Sequence, residues 1–182
     1  MLSGQASQSM VRTAMRRAAH QLFDEPRILE DPIAVGLVPE ASEQAILDAS
    51  GEHRAPLAAL FRSLFAFRSR FAEDRLADAA ARGVHQYVIV GAGLDTFPWR
   101  QPPFARALQI FYVDHPATLA WTTARFHERG LATPPNLSFV AADLEEQNLA
   151  NRLDASGFDR EAGAFCSVLG VCLLYTSDAA DE

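Results

Sequence analysis

The sequence predicts an α/β fold, a doubly wound and mostly parallel sheet preceded by helices. Three observations point there. Short continuous apolar runs, such as Tyr87-Val88-Ile89-Val90, read as strands covered on both faces. Helical patterns precede and separate those runs. A glycine-rich turn, Gly91-Ala92-Gly93, follows the first run at once.

Helical signals fill the first 83 residues. A helix over 9–23 places Met10, Ala14, Ala18 and Leu22 on one face. Asp24-Glu25-Pro26 ends it, because proline disfavours helix in the residue before it. Asp31-Pro32 opens a second, short helix, with the acid as N-cap and proline at the first helical position. The segment 41–49 is a further helical candidate. A long helix over 56–82 carries Leu57, Leu60, Leu64, Phe67, Phe71 and Leu76 at helical spacing and is capped by Gly83. The pattern then changes. Strands are expected at 87–90, 108–113, 137–141 and 164–169, with a helix at 116–129 stopped by Gly130. The chain thus divides into a helical segment, 1–83, on the lid or substrate side, and a sheet domain, 84–171.

Composition narrows the function. The chain has 182 residues, 49% hydrophobic and 21% charged, which suits one globular domain and excludes a disordered or collagenous chain. No apolar run is long enough to span a bilayer. A net charge of −7 argues against nonspecific nucleic-acid binding and against an anionic membrane surface. All 16 basic residues are arginine, which removes Schiff-base, P-loop-lysine and lysine general-base chemistry. Cys166 and Cys172 form no zinc or CxxC pattern and read as buried small hydrophobes. The histidines, His20, His53, His85, His115 and His127, show no metal spacing. The arginine- and serine-containing start superficially resembles a transit peptide, but an amphipathic helix is the preferred reading, and a cytoplasmic setting is expected.

Four constellations carry chemistry. The first is Gly91-Ala92-Gly93-Leu94-Asp95-Thr96 after a strand. Its glycines permit positive φ and close approach of a ligand, although a tight structural turn reads the same way. Thr96 stands where a third glycine would complete GxGxxG. The second is Asp114, at the end of the second strand, where a carboxylate can accept from both ribose hydroxyls and disfavours a 2′-phosphate. Neighbouring His115 precedes a proline and reads as local structure. The third is Asp143-Leu144, suited to an adenine amino group and ring, with an N-cap role for Asp143 as the alternative. The fourth is Arg68-Ser69-Arg70-Phe71-Ala72-Glu73-Asp74 in the long helix. An arginine there can pair with a ligand carboxylate, or merely with Glu73 and Asp74 at the surface.

These residues resemble the leucine carboxyl methyltransferase family. The resemblance runs through the 68–74 segment, the 86–100 segment around Gly91-Ala92-Gly93-Leu94-Asp95-Thr96, and Val113-Asp114-His115-Pro116. It continues in 140–144 and 165–171, and the stretch 17–34 resembles the family's N-terminal helices. The resemblance implies a Rossmann-like methyltransferase fold that binds S-adenosylmethionine. Carried over by position, it implies Arg70 on the methionine carboxylate and Gly91 and Gly93 along the methionine and sulfonium. It likewise puts Asp114 on the ribose and Asp143 with Leu144 on the adenine. Ala92, Asp95 and His115 complete the candidate cofactor-binding set. No catalytic residue and no metal ligand is assigned. A small-molecule methyl acceptor is implied, with a carboxyl or hydroxyl oxygen as nucleophile.

The sequence departs from the family pattern in two places. Leu169 stands where many relatives carry an acid, and Tyr175 falls five residues beyond Gly170 rather than four. Residues 172–182 resemble translated adapter sequence, so the sheet is expected to be truncated after its fourth strand and the tail to be non-native. Two other readings remain: an NAD-dependent Rossmann oxidoreductase sharing the glycines and Asp114, and a cofactor-binding fragment without turnover.

Overall fold

The structure, a computed structural model, describes residues 8–38, 40–48 and 55–169. The expected tail, 172–182, with Cys172 and Tyr175, lies outside the described residues, as does His53. Four helices come first: α1 (Gln8–Phe23), α2 (Pro32–Leu37), α3 (Glu40–Asp48) and α4 (Pro56–Ala81). Then β1 (Gln86–Val90), β2 (Gln109–Asp114), α5 (Pro116–Glu128), β3 (Leu137–Ala141), α6 (Leu149–Asp154) and β4 (Ala164–Val168) follow. Between β1 and β2 the chain forms only two 3₁₀ turns, Phe97–Trp99 and Pro103–Ala107.

The strands form one sheet in the order β3-β2-β1-β4, and every pairing is parallel. Strand order reverses between β1 and β4, so the crevice outside their carboxyl ends is a topological switch point. The register aligns those ends: Val90 lies beside Val113 and Val168, and Asp114 beside Ala141. Side chains alternate between two cores. Tyr87, Ile89, Ile110, Tyr112 and Leu137 face Leu76 of α4 and Leu119 of α5. Val88, Val90, Phe111, Val113 and Val140 face Leu153 of α6. A third core joins the amino-terminal helices to the rest, packing Met10, Ala14, Ala18, Leu37 and Ile46 with Leu94 and Phe126. The segment 1–83 therefore shares its core with the sheet domain.

Three expectations about burial are corrected. On α4 the apolar series Leu57, Leu60, Leu64, Phe67 and Phe71 is exposed, and only Leu76 of that series is buried. The buried face carries Arg62, Phe65, Ala66, Ser69, Ala72 and Ala79. Its small residues let neighbouring backbone approach closely. Arg62 is tolerated there because its guanidinium donates to the Asp24 carboxylate, at 3.0 Å from Nε. On α1, Leu22 is exposed while Met10, Ala14 and Ala18 are buried. The last turn instead turns His20 and Gln21 inward, where they hold the backbone of Ile28, Leu29 and Asp31. On β4, Cys166 is exposed, because the face carrying Ala164, Cys166 and Val168 is uncovered among the described residues.

Candidate functional site

The loop after β1 bends back at once because Gly91 and Gly93 adopt left-handed φ values of 66° and 55°. Ala92 N–H donates to Val113 O at 3.1 Å, which holds the loop over the end of β2. Asp114 then fastens it. Its Oδ2 accepts the Gly93 N–H and its Oδ1 the His115 N–H, each at 2.7 Å. Burial pushes the Asp114 carboxyl up, and these two N–H groups with the Thr118 hydroxyl oppose that rise.

No α-helix follows the glycines, so side chains from elsewhere brace the loop. The carbonyls of Gly93, Leu94 and Asp95 are all taken. Gly93 O accepts from Thr122 Oγ1 at 2.9 Å and from Tyr112 OH at 3.0 Å. Leu94 O accepts from the Arg17 guanidinium, and Asp95 O shares the one Tyr112 hydroxyl proton with Gly93 O, at 3.0 Å from each. Asp95 closes the turn by accepting the Phe97 N–H on Oδ1 at 2.8 Å.

His115 caps α5 by accepting the Ala117 N–H on Nδ1 at 3.2 Å. The ring proton is then on Nε2, which faces Asp143 Oδ2 at 3.6 Å, beyond hydrogen-bond reach. Asp143 Oδ1 accepts the Glu145 N–H at 3.1 Å and closes a turn. It does not cap α6, where Asn148 does that. Leu144 is half-buried against the Val140–Leu153 core.

Seven of the nine sequence-predicted residues, Gly91, Ala92, Gly93, Asp95, Asp114, His115 and Asp143, thus gather beyond the carboxyl ends of the strands. Leu144 follows Asp143 but packs into the core beneath. Arg70 is placed elsewhere: it lies on an exposed side of α4 and pairs with Asp74 at 2.8 Å, the surface alternative raised for this segment. Its neighbour Arg68 behaves differently. Its guanidinium stacks over Phe65, 4.2 Å from the ring centroid, and its buried Nε has no hydrogen-bond partner. Burial, with Arg17 nearby, lowers it to about 10, while Asp95 of the loop opposes that fall. Arg68 remains a cation at neutral pH with a buried donor to spare.

Sequence reasoning also missed Arg17, Asp31, Thr96 and Arg100. Arg17 and Asp31 lie within the 17–34 stretch and Thr96 within the glycine motif, but no local spacing joins them. Arg100 forks onto Glu73 of α4, with Nη1 to Oε2 at 2.9 Å, and Glu73 raises the guanidinium against the cost of burial.

A family model for leucine carboxyl methyltransferase matches residues 10–182. A Bacillus subtilis protein named "Putative S-adenosyl-L-methionine-dependent methyltransferase YktD" is 28% identical over 201 residues, covering 98% of this chain and 65% of that protein. A Mycobacteroides abscessus protein with the same description is 30% identical over 175 residues, covering 93% of this chain and 56% of its own length. The chain therefore spans a little over half to about two thirds of the length of these relatives. Among the described residues, no helix is long and apolar enough to cross a membrane.

Proposed function

Because the chain belongs to the leucine carboxyl methyltransferase family, we propose that it binds S-adenosylmethionine beyond the carboxyl ends of β1 and β2. We propose further that it takes part in methyl transfer to an oxygen of a small-molecule acceptor, in a cytoplasmic setting. The family's description favours a carboxyl oxygen over a hydroxyl. The observation that carries the reading is the Asp114 carboxylate, fastened to the N–H groups of Gly93 and His115 at the strand ends.

The residues fit the cofactor. The Asp114 carboxylate accepts two backbone N–H groups and the Thr118 hydroxyl, which leaves one of its about four acceptor sites for a ribose hydroxyl. Gly91 and Gly93 leave room for close approach to the backbone. Arg68 offers its unpaired Nε to a carboxylate, in place of Arg70. Asp143 would accept from the adenine amino group. When bound, S-adenosylmethionine supplies a methyl group already activated on a sulfonium. The chain's task is then to bind, orient and exclude water. A carboxylate acceptor needs no general base near pH 7, whereas a hydroxyl would need one.

The NAD reading is weaker on one specific ground. Dinucleotide sites set the pyrophosphate on the N-terminus of the helix after the glycines. Here the glycines run into a three-residue 3₁₀ turn.

Titration calorimetry with S-adenosylhomocysteine tests the proposal. Binding by the wild type, with a loss of at least about 1.4 kcal/mol in Asp114→Ala, a tenfold effect, supports it. Displacement by NAD would favour the oxidoreductase. Tight binding without methyl transfer to any carboxyl or hydroxyl acceptor would mark a cofactor-binding fragment.

A further inference from the structure

The glycine loop lacks the helix that usually braces such a loop, and one of its supports comes from 65 positions upstream in the chain. Thr96 Oγ1 donates to Asp31 Oδ2 at 2.7 Å, and both residues are fully buried. We infer that Asp31 is a positioning residue for the cofactor loop, acting through Thr96, so that α1 and α2 form an obligate half of the site. This inference rests on the S-adenosylmethionine reading for its functional meaning, though not for its geometry.

Asp31 is held from every side. Its own N–H donates to Gln21 Oε1 of α1 at 2.9 Å. Its Oδ1 accepts the Ala34 N–H at 3.2 Å, capping α2. Two guanidiniums face it, Arg100 Nε at 3.6 Å and Arg17 Nε at 3.9 Å. Both cations also act on the loop: Arg17 donates to Leu94 O, and Arg100 Nε donates to Thr96 Oγ1 at 3.0 Å. The Thr96 hydroxyl therefore has one orientation. It accepts from Arg100 and gives its only proton to Asp31. Its place in the motif is where a third glycine would allow close helix packing. Here a hydroxyl pinned to the amino-terminal helices does the holding instead. A buried charge network of this kind adds little net stability but is costly to break at one member, which suits a part that fixes geometry.

The test uses Thr96→Val, which keeps the volume and removes the hydroxyl, with Thr96→Ser as the conservative rescue and Asp31→Asn as the partner change. Two readouts are taken on the folded proteins: amide hydrogen exchange in the ligand-free state, and calorimetric affinity for S-adenosylhomocysteine. Thr96→Val and Asp31→Asn are expected to speed exchange at Ala92, Gly93, Asp95 and Phe97 relative to β3, and to weaken binding by about tenfold. Thr96→Ser stays within about twofold on both counts. The double variant is no worse than its worse parent, because the two changes break one link. The inference is overturned if the variants only melt earlier, with loop exchange and affinity unchanged. A wild type that binds no S-adenosylhomocysteine removes the cofactor reading instead. The exchange readout then decides alone: faster loop exchange supports positioning, and unchanged exchange refutes it. Should Asp31→Asn fail to fold, the Thr96→Val and Thr96→Ser pair carries the same decision.

Discussion

Met10 of α1 lies directly over Gly93: a β-carbon placed on that glycine would stand 3.0 Å from Met10 Cγ. Close packing and a left-handed φ therefore both demand glycine at this position. Gly93→Ala is expected to destabilise the fold by about 1–2 kcal/mol from backbone strain alone, and by more once Met10 is displaced. Gly157, with φ 87° and open space around it, supplies the comparison. Denaturant melts should show Gly93→Ala as the costlier of the two alanine variants; equal costs would mean that the Met10 contact is slack.

Arg68 and Arg70 make opposite predictions. Arg68→Ala should weaken S-adenosylhomocysteine binding by at least about tenfold, because its buried donor has no partner within the protein. Arg70→Ala breaks only an exposed pair with Asp74 and should change affinity by less than about twofold. Calorimetry on the two variants separates them, and the reverse ranking would return the carboxylate role to Arg70.

Asp24 gives the fold an acid-sensitive joint. Burial alone would push its carboxyl up, but hydrogen bonds from Arg62 and His20 prevail and hold it below its usual value. The folded chain then binds that proton less readily than the unfolded chain. The resulting stability is present above the unfolded value of about 3.9 and is lost as pH falls through the lower folded one. Asp24→Asn should lower the melting temperature at neutral pH and make the acid limb shallower. Thermal melts between about pH 7 and about pH 2 would contradict this if the two acid limbs ran parallel.

The exposed series on α4, with Leu57 at 64% and Phe67 at 57% exposure, is an association hazard. Leu60→Gln combined with Phe67→Gln should leave unfolding free energy within about 0.5 kcal/mol per site while reducing light scattering at high concentration. A stability loss of several kcal/mol would show that these side chains are covered in solution.

Much of the fold was legible in the sequence because buried parallel strands are short, apolar and punctuated. β3 occupies the predicted residues, and β1 and β4 begin or end within one residue of expectation. The six-residue α6 escaped notice because it is too short for a helical period to repeat. The face of α4 was misread for a different reason. Its apolar stripe and its small-residue stripe are both helical, and the sequence alone does not say which one a neighbour covers. The same ambiguity separates Arg68 from Arg70, since residues two apart on a helix point about 200° apart. The glycines and Asp114 were legible because a strand, a turn and a second strand bring them together. The link from Thr96 to Asp31 was not, because a buried hydrogen bond between distant segments leaves no periodic trace.

The reach of α1 across the chain also bears on the order in which the protein forms. Its Arg17 is bonded to Leu94, 77 positions later, and its Met10 sulfur lies 3.8 Å from the Thr122 hydroxyl oxygen, 112 positions later. During synthesis α1 can meet α2, α3 and α4 early, but its Met10 and Arg17 have no partner in the loop until β1, that loop and α5 have been made. Closing so long a chain segment costs entropy before any contact repays it. The amino-terminal helices are therefore expected to assemble with one another first and to dock on the glycine loop late, and a chaperone that shields apolar surface would find its longest-lived target at that waiting face.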